Sequence, residues 1–322
     1  MRYFILTSFL ILIFLVACKQ PESEPQTNPS EKIYKIAYNV LVDEENENFE
    51  IFSMDLDGSN KQNITNLSGV EWTYHAWGNK ILYVSDTDTL KRNYQLFTMN
   101  ADGSLKEKLS DMRLADSWHG TRKNGQEIVV KPYNEVESTF YILSNGGEIL
   151  RRLQPNLKYF SDPSFSPDGE KVVFRGAHFA SKKEEGFVDE IYIMDADGSN
   201  LQQLTHYPKS DTTAAWYAYK AGPPKWHPTE NFISYASFQN GKYSLFGVTP
   251  NGQKQWKLTT TTQNEVFHDW SSDGKWLVTD LAKTEQSSYH IGLINWETKA
   301  LTILTDSTYQ YHQSPVFVEV LQ

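Results

Sequence analysis

EIYIMDADGSNLQQLTH, residues 190–206, decides the fold, because the chain writes the same pattern several times over. It recurs as IFSMDLDGSNKQNIT at 51–65, as LFTMNADGSLKEKLS at 96–110 and, more loosely, as LFGVTPNGQKQWKLT at 245–259. Each copy is an apolar run, a polar corner containing Asp-Gly or Asn-Gly, and a second segment ending in Leu or Ile followed by Thr or Ser. Both alternating sets of Ile191, Tyr192, Ile193 and Met194 are apolar, so this strand is expected to be covered on both faces. Asp197-Gly198, like Asp57-Gly58 and Asp102-Gly103, supplies the positive φ of a tight hairpin turn. A hairpin covered on both faces needs neighbours of its own kind.

A second repeated pattern precedes the first. DPSFSPDGEKVVFRG at 162–176 reads as a short segment around Phe165, a turn at Pro167-Asp168-Gly169 and an apolar strand. Its relatives are HAWGNKILYVS at 75–85, HGTRKNGQEIVV at 119–130, KWHPTENFISYAS at 225–237 and HDWSSDGKWLVTD at 268–280. The turn residues Asn124, Asp168, Thr229 and Asp273 are spaced 44, 61 and 44 residues apart. Four strands at a period near 44 residues mark a propeller blade. Only three strands precede residue 66, and SPVFVEV at 314–320 matches the missing innermost one. The expected fold is therefore all-β: a six-bladed β-propeller of four-stranded blades over residues 35–322, its ring closed by the C-terminal strand joining the N-terminal blade.

The repeats SPDGEKVVF and IYIMDADGSNLQQLT resemble those of the TolB-like six-bladed β-propeller lipoproteins and related propellers. The resemblance covers residues 35–322. It implies the fold; such propellers occur in Tol-system periplasmic proteins, in serine peptidases and in oligogalacturonate lyases. No GxSxG is present to support a peptidase.

Residues 1–17 stand outside that fold. Arg2 precedes the apolar run FILTSFLILIFLVA, and Leu15-Val16-Ala17-Cys18 resembles a bacterial lipobox, so 1–17 is expected to be a lipoprotein signal peptide and Cys18 the lipid attachment site, palmitate included. Cys18 is the sole cysteine, which rules out an intramolecular disulfide. Residues 18–34 carry Pro21, Pro25 and Pro29 among Glu and other polar residues and read as a tether from the membrane. Lys19 stands where some lipoproteins carry the Asp that resembles an inner-membrane retention signal, which points to the outer membrane, facing the periplasm. The net charge of −10, or −11 once Arg2 is removed, repels phosphates and excludes nucleic acid as a partner.

The candidate site residues come from the repeat itself. Two residues before the innermost-strand aromatic, or before Thr121, which fills its place in one unit, three units carry Pro163, Pro224 and Pro315, and the other three carry His75, His119 and His268. His312 lies three residues before Pro315. All four histidines are expected near the mouth of the central channel. Imidazoles in a cluster suit a divalent metal, with Gln310 as a further candidate ligand, or an anionic or hydroxyl-rich ligand, or hydrogen bonds to the next blade. Two long connections reach the same rim: residues 176–189, and 207–222 with Tyr207, Trp216, Tyr217 and Tyr219, flat rings suited to a partner or a sugar. Two functions are therefore expected to compete. One is a monomeric envelope binding or scaffolding module for a protein or oligosaccharide. The other, implied by the resemblance, is a metal-dependent lyase acting on acidic oligosaccharides.

Overall fold

The computed structural model describes residues 1, 32–89, 92–179, 189–206, 208, 210–283 and 287–320. The expected signal peptide, Cys18 and most of the tether lie outside the described residues, as do Tyr207 and most of the 176–189 connection. The propeller unit spans Lys32–Gln322. Its described elements are strands, arranged as six four-stranded antiparallel sheets.

Blade one consists of β1 (Ile33–Asp43), β2 (Asn48–Asp55) and β3 (Gln62–Asn63), with β24 (His312–Val320) as its innermost strand. Blade two is β4 (Glu71–Trp77), β5 (Lys80–Ser85), β6 (Gln95–Asn100) and β7 (Glu107–Ser110). Blade three is β8 (Gly120–Arg122), β9 (Glu127–Val130), β10 (Phe140–Ser144) and β11 (Ile149–Leu153). Blade four is β12 (Tyr159–Phe165), β13 (Lys171–Ala177), β14 (Glu190–Asp195) and β15 (Gln202–Gln203). Blade five is β16 (Lys225–Trp226), β17 (Ile233–Gln239), β18 (Lys242–Val248) and β19 (Gln255–Lys257). Blade six is β20 (Asn264–Trp270), β21 (Trp276–Ala282), β22 (Tyr289–Asn295) and β23 (Leu301–Ile303). The closure expected from the sequence is present: β24 pairs antiparallel with β1, with Phe317 opposite Ile36 and Val316 opposite Ala37. That pairing leaves the ring without an open inner edge.

Both faces of the repeated hairpin are buried because each of the six core clusters is shared by two adjacent blades. Phe140 and Ile142 of blade three meet Phe165, Phe174, Tyr192 and Met194 of blade four. Ile191 and Ile193, the opposite face of β14, meet Ile233, Tyr235 and Val248 of blade five. One β14 residue after another therefore serves two interfaces, the pattern expected of a strand apolar on both sides.

The polar letters of the repeat are equally committed. Gly58, Gly103 and Gly198 have φ of 82°, 81° and 93°, and each donates its N–H to the carbonyl three residues earlier. Asp57 accepts the Ser59 N–H at 2.9 Å and Asp197 the Ser199 N–H at 2.8 Å, so these carboxylates brace turns. The terminal Thr is a latch. Thr65 Oγ1 accepts the Ile51 N–H at 2.9 Å and donates to the buried Glu50 carboxylate. Thr205 does the same with Ile191 (2.8 Å) and Glu190 (2.6 Å). Thr305 accepts from Ile291 at 2.9 Å, but His290 stands where the others have Glu.

Candidate functional site

The turns between first and second and between third and fourth strands lie on one face of the ring, so the second-to-third strand and blade-to-blade connections gather on the other. There they enclose a basin of about 420 Å³ at the mouth of the central channel. Its wall is aromatic: Trp118, Trp216, Tyr217, Tyr243, Phe267 and Tyr289 line it, together with Asp116, Arg175 and Lys220. Blades three to six all contribute.

The floor is built from the inner strands. Trp118, leading into blade three, and Phe267, on β20 of blade six, meet across the channel with ring centroids 4.7 Å apart. Each backbone is held by a buried carboxylate: Asp162 accepts the Trp118 N–H at 3.1 Å and Asp280 the Phe267 N–H at 2.7 Å. Tyr74 packs on Trp118 at 4.4 Å, and its hydroxyl donates a hydrogen bond to Asp116. Asp162 has φ 59° at a register shift in β12, and a similar shift interrupts β20 between Glu265 and His268. These bulges turn the strand ends into the channel.

One wall carries charge that balances itself. Arg175 on β13 pairs with Asp162 and, at 3.4 Å, with Asp189; Lys220 lies 3.3 Å from Asp189. Two cations face two buried carboxylates, so this quartet gives the basin no net charge. Trp216 and Tyr217 are 43% and 37% exposed, Tyr217 packs on Phe238 at 5.0 Å, and the two rings meet edge-on at 5.5 Å. Tyr219, grouped with them by sequence, turns inward: its hydroxyl donates to Asp211 at 2.9 Å and its N–H to Phe238 O. It braces the loop and does not line the basin.

The histidines lie one residue beyond the floor aromatics along each inner strand, and none lines the basin. His75 Nε2 bonds Thr121 Oγ1 at 2.8 Å and His268 Nε2 bonds Ser234 Oγ at 2.7 Å, each a contact to the neighbouring blade. His119 is fully buried and packs edge-on against Tyr74 at 5.4 Å. Among them sits an ammonium that sequence reading did not single out. Lys225 of β16 reaches Asp269 of blade six at 3.2 Å and the Tyr74 carbonyl of blade two at 3.2 Å. Burial first, and Lys225 second, push His119 and His268 down to about 3 and His75 well below the usual imidazole value. The three rings are neutral. His312 sits apart in the wall between blades six and one, bonded to the Tyr289 carbonyl at 3.1 Å and stacked on His290 at 6.0 Å. Gln310 donates to Ser287 O.

Neutral imidazoles suit a metal ion, but an ammonium beside them opposes a divalent cation. Among the described residues no three His, Cys, Asp or Glu side chains come together as a metal-binding group. The donor set expected at the channel mouth is thus divided: His75 and His268 bond neighbouring blades, both ring nitrogens of buried His119 are without a hydrogen-bond partner among the described residues, and His312 and Gln310 belong to the blade six–one wall.

The family model described as TolB beta propeller domain matches residues 73–318. The Tol-Pal system protein TolB of Anaeromyxobacter dehalogenans is 28% identical over 95 residues, 30% of this chain and 20% of that protein. The chain thus matches about a fifth of the length of this curated relative. TolB from Acinetobacter baumannii superposes with a TM-score of 0.65 at 14% identity, covering 88% of this chain and 66% of that one. Putative TolB from Agrobacterium tumefaciens gives 0.61 at 15% identity, over 90% and 99% of the two chains. At such identities the likeness is one of fold.

Proposed function

Because the chain belongs to the TolB β-propeller family, we propose that it is a binding or scaffolding module of the cell envelope, with an envelope protein docking on the Trp216 rim. The observation that carries this reading is the basin itself. Aromatic walls, a volume of about 420 Å³ and cations already matched by Asp162 and Asp189, with Asp116 as a further carboxylate, suit an apolar anchor side chain of a protein partner. An acidic oligosaccharide would need surplus positive charge there, and Arg175 and Lys220 are already matched by Asp162 and Asp189. With His75 and His268 bonded to neighbouring blades, Lys225 beside the imidazoles and no group of three metal-ligating side chains among the described residues, the metal-dependent lyase is not favoured. In this reading Cys18 is lipidated, residues 18–34 form the tether, and the propeller works as a monomer on the periplasmic side of the outer membrane.

A photo-reactive phenylalanine analogue at position 216 tests the docking face in intact cells. The expected result is one discrete adduct that Tyr217→Ala diminishes, with none from the same analogue at Leu201, which is exposed on the hairpin face. Equal adducts from both positions, or none from position 216, would refute the assignment. The anchor is tested separately: Cys18→Ser abolishes incorporation of labelled palmitate, and label persisting on that variant sinks it.

A further inference from the structure

Lys131 is a buried ammonium with no carboxylate partner among the described residues. Only 4% exposed, it follows β9 in blade three, and its nearest hydrogen-bond acceptor is the Thr139 carbonyl at 3.5 Å, the outer limit of such a bond. Its Nζ lies over the Phe160 ring at 3.9 Å and 5.9 Å from the Phe140 centroid. Among the described residues it forms no ion pair, unlike Lys225, which has Asp269. A charge in such a place is costly unless something answers it. Burial pushes this amine down to about 8.

Lys131 lines a pocket of about 180 Å³ between blades three and four, enclosed also by Lys158, Asn134, Ser138, Ser161 and Asp116. Two ammonium groups against one carboxylate leave the lining with one surplus positive charge. The Asp116 carboxylate already accepts the Tyr74 hydroxyl. Amide and hydroxyl groups of Asn134 and Ser138 add hydrogen-bond donors.

We infer that this pocket binds a small oxyanion, a carboxylate or phosphate group, with the Lys131 ammonium as its principal contact. The site shares Asp116 with the aromatic basin, but its principal contact, Lys131, does not line the basin, and the inference does not depend on how the basin is used. The volume accommodates a ligand of a few heavy atoms, and the Lys131 ammonium, packed on the Phe160 ring, has only one long hydrogen bond, to the Thr139 carbonyl, among the described residues.

Isothermal titration of the soluble propeller with inorganic phosphate and, separately, with acetate tests this, at fixed ionic strength set with chloride. The expected result is saturable one-to-one binding of at least one probe, weakened about tenfold or more in Lys131→Met, as loss of a charge-assisted hydrogen bond requires. Lys131→Met exchanges a lone buried cation for an apolar side chain of similar length, so the variant is expected to fold, and its thermal transition checks that. Trp216→Ala binds the probe as the wild type does, which separates this pocket from the basin. Phosphate binding without acetate binding assigns the ligand to phosphates, and the converse assigns it to carboxylates. No saturable binding of either probe, or binding that Lys131→Met weakens by less than about threefold, overturns the inference.

Discussion

Replacing the repeat's terminal Thr by Val at three blades gives an internal scale for the latch. Thr65 and Thr205 each make two buried hydrogen bonds, accepting from Ile51 or Ile191 and donating to Glu50 or Glu190. Val keeps the shape and removes both, leaving a buried N–H unpaired and taking one donor from a carboxylate. Thr65→Val and Thr205→Val should each cost about 3 kcal/mol, the sum of one orphaned amide and one weakened charged acceptor. Thr305 accepts from Ile291 but faces His290 in place of the Glu, so Thr305→Val should cost about half as much, roughly 1.5 kcal/mol. Urea denaturation reads the difference as a shift in midpoint at constant m. A Thr305→Val variant as damaged as Thr65→Val would refute the reasoning, because the carboxylate would then contribute nothing. Burial already pushes the Glu50 carboxyl up while Thr65 pulls it back, so the Thr65 variant should also raise that value further.

Three further outcomes follow from single contacts. Gly103→Ala puts a Cβ 2.5 Å from the Ile64 carbonyl at φ +81° and should cost about 2–3 kcal/mol, against about 1 for Gly241→Ala, whose φ is +83° with nothing within 4 Å; thermal melts compare them. Lys225→Met breaks a buried pair and should cost about 3 kcal/mol; adding Asp269→Asn should recover part of it, and the titrations of His119 and His268, followed by NMR, should move up once the ammonium is gone. Glu71 is fully buried, its Oε2 lacks a hydrogen bond, and burial pushes it up to about 7. An acid whose folded value is raised destabilises the fold as pH rises from its unfolded value near 4 through 7. Glu71→Gln should therefore match wild type near pH 4 and exceed it by up to about 3 kcal/mol above pH 7, and equal pH profiles would contradict the assignment.

The fold was legible because its information is local and repeated. Asp197-Gly198 specifies a turn, Ile191 to Met194 a strand covered twice, and neither needs knowledge of the rest of the chain. Even the closure could be read, since SPVFVEV repeats the inner-strand pattern around Phe165. Boundaries were less exact: β24 begins at His312, because its pairing with Val40 extends across a register shift that no residue pattern announces. The role of the terminal Thr was visible as a recurrence, while its partners were not. Glu50 and Glu190 stand one residue before the apolar run, and nothing in the repeat ties them to a Thr 15 residues later.

The site was far less legible, and the histidines show why. A shared repeat position places His75, His119 and His268 at the same depth in the ring, and that much the repeat foretold. What each ring meets there depends on Lys225, a residue of blade five whose own repeat position in blade six holds Asp269. The pairing of those two across blades is a departure from the repeat, so a search for recurrence passes over it. The basin is more extreme. Trp118 and Phe267 occupy one repeat position, but Arg175, Tyr243 and Tyr289 come from the second and third strands of three different blades. Six-fold architecture makes the blades alike at the turns and allows them to differ at the opposite rim, where a ligand needs one wall unlike another. A binding surface on a propeller is therefore to be sought where the repeats stop agreeing, and here the connections at 176–189 and 207–222, the second rich in aromatics, are the disagreements on that rim that the sequence displays openly.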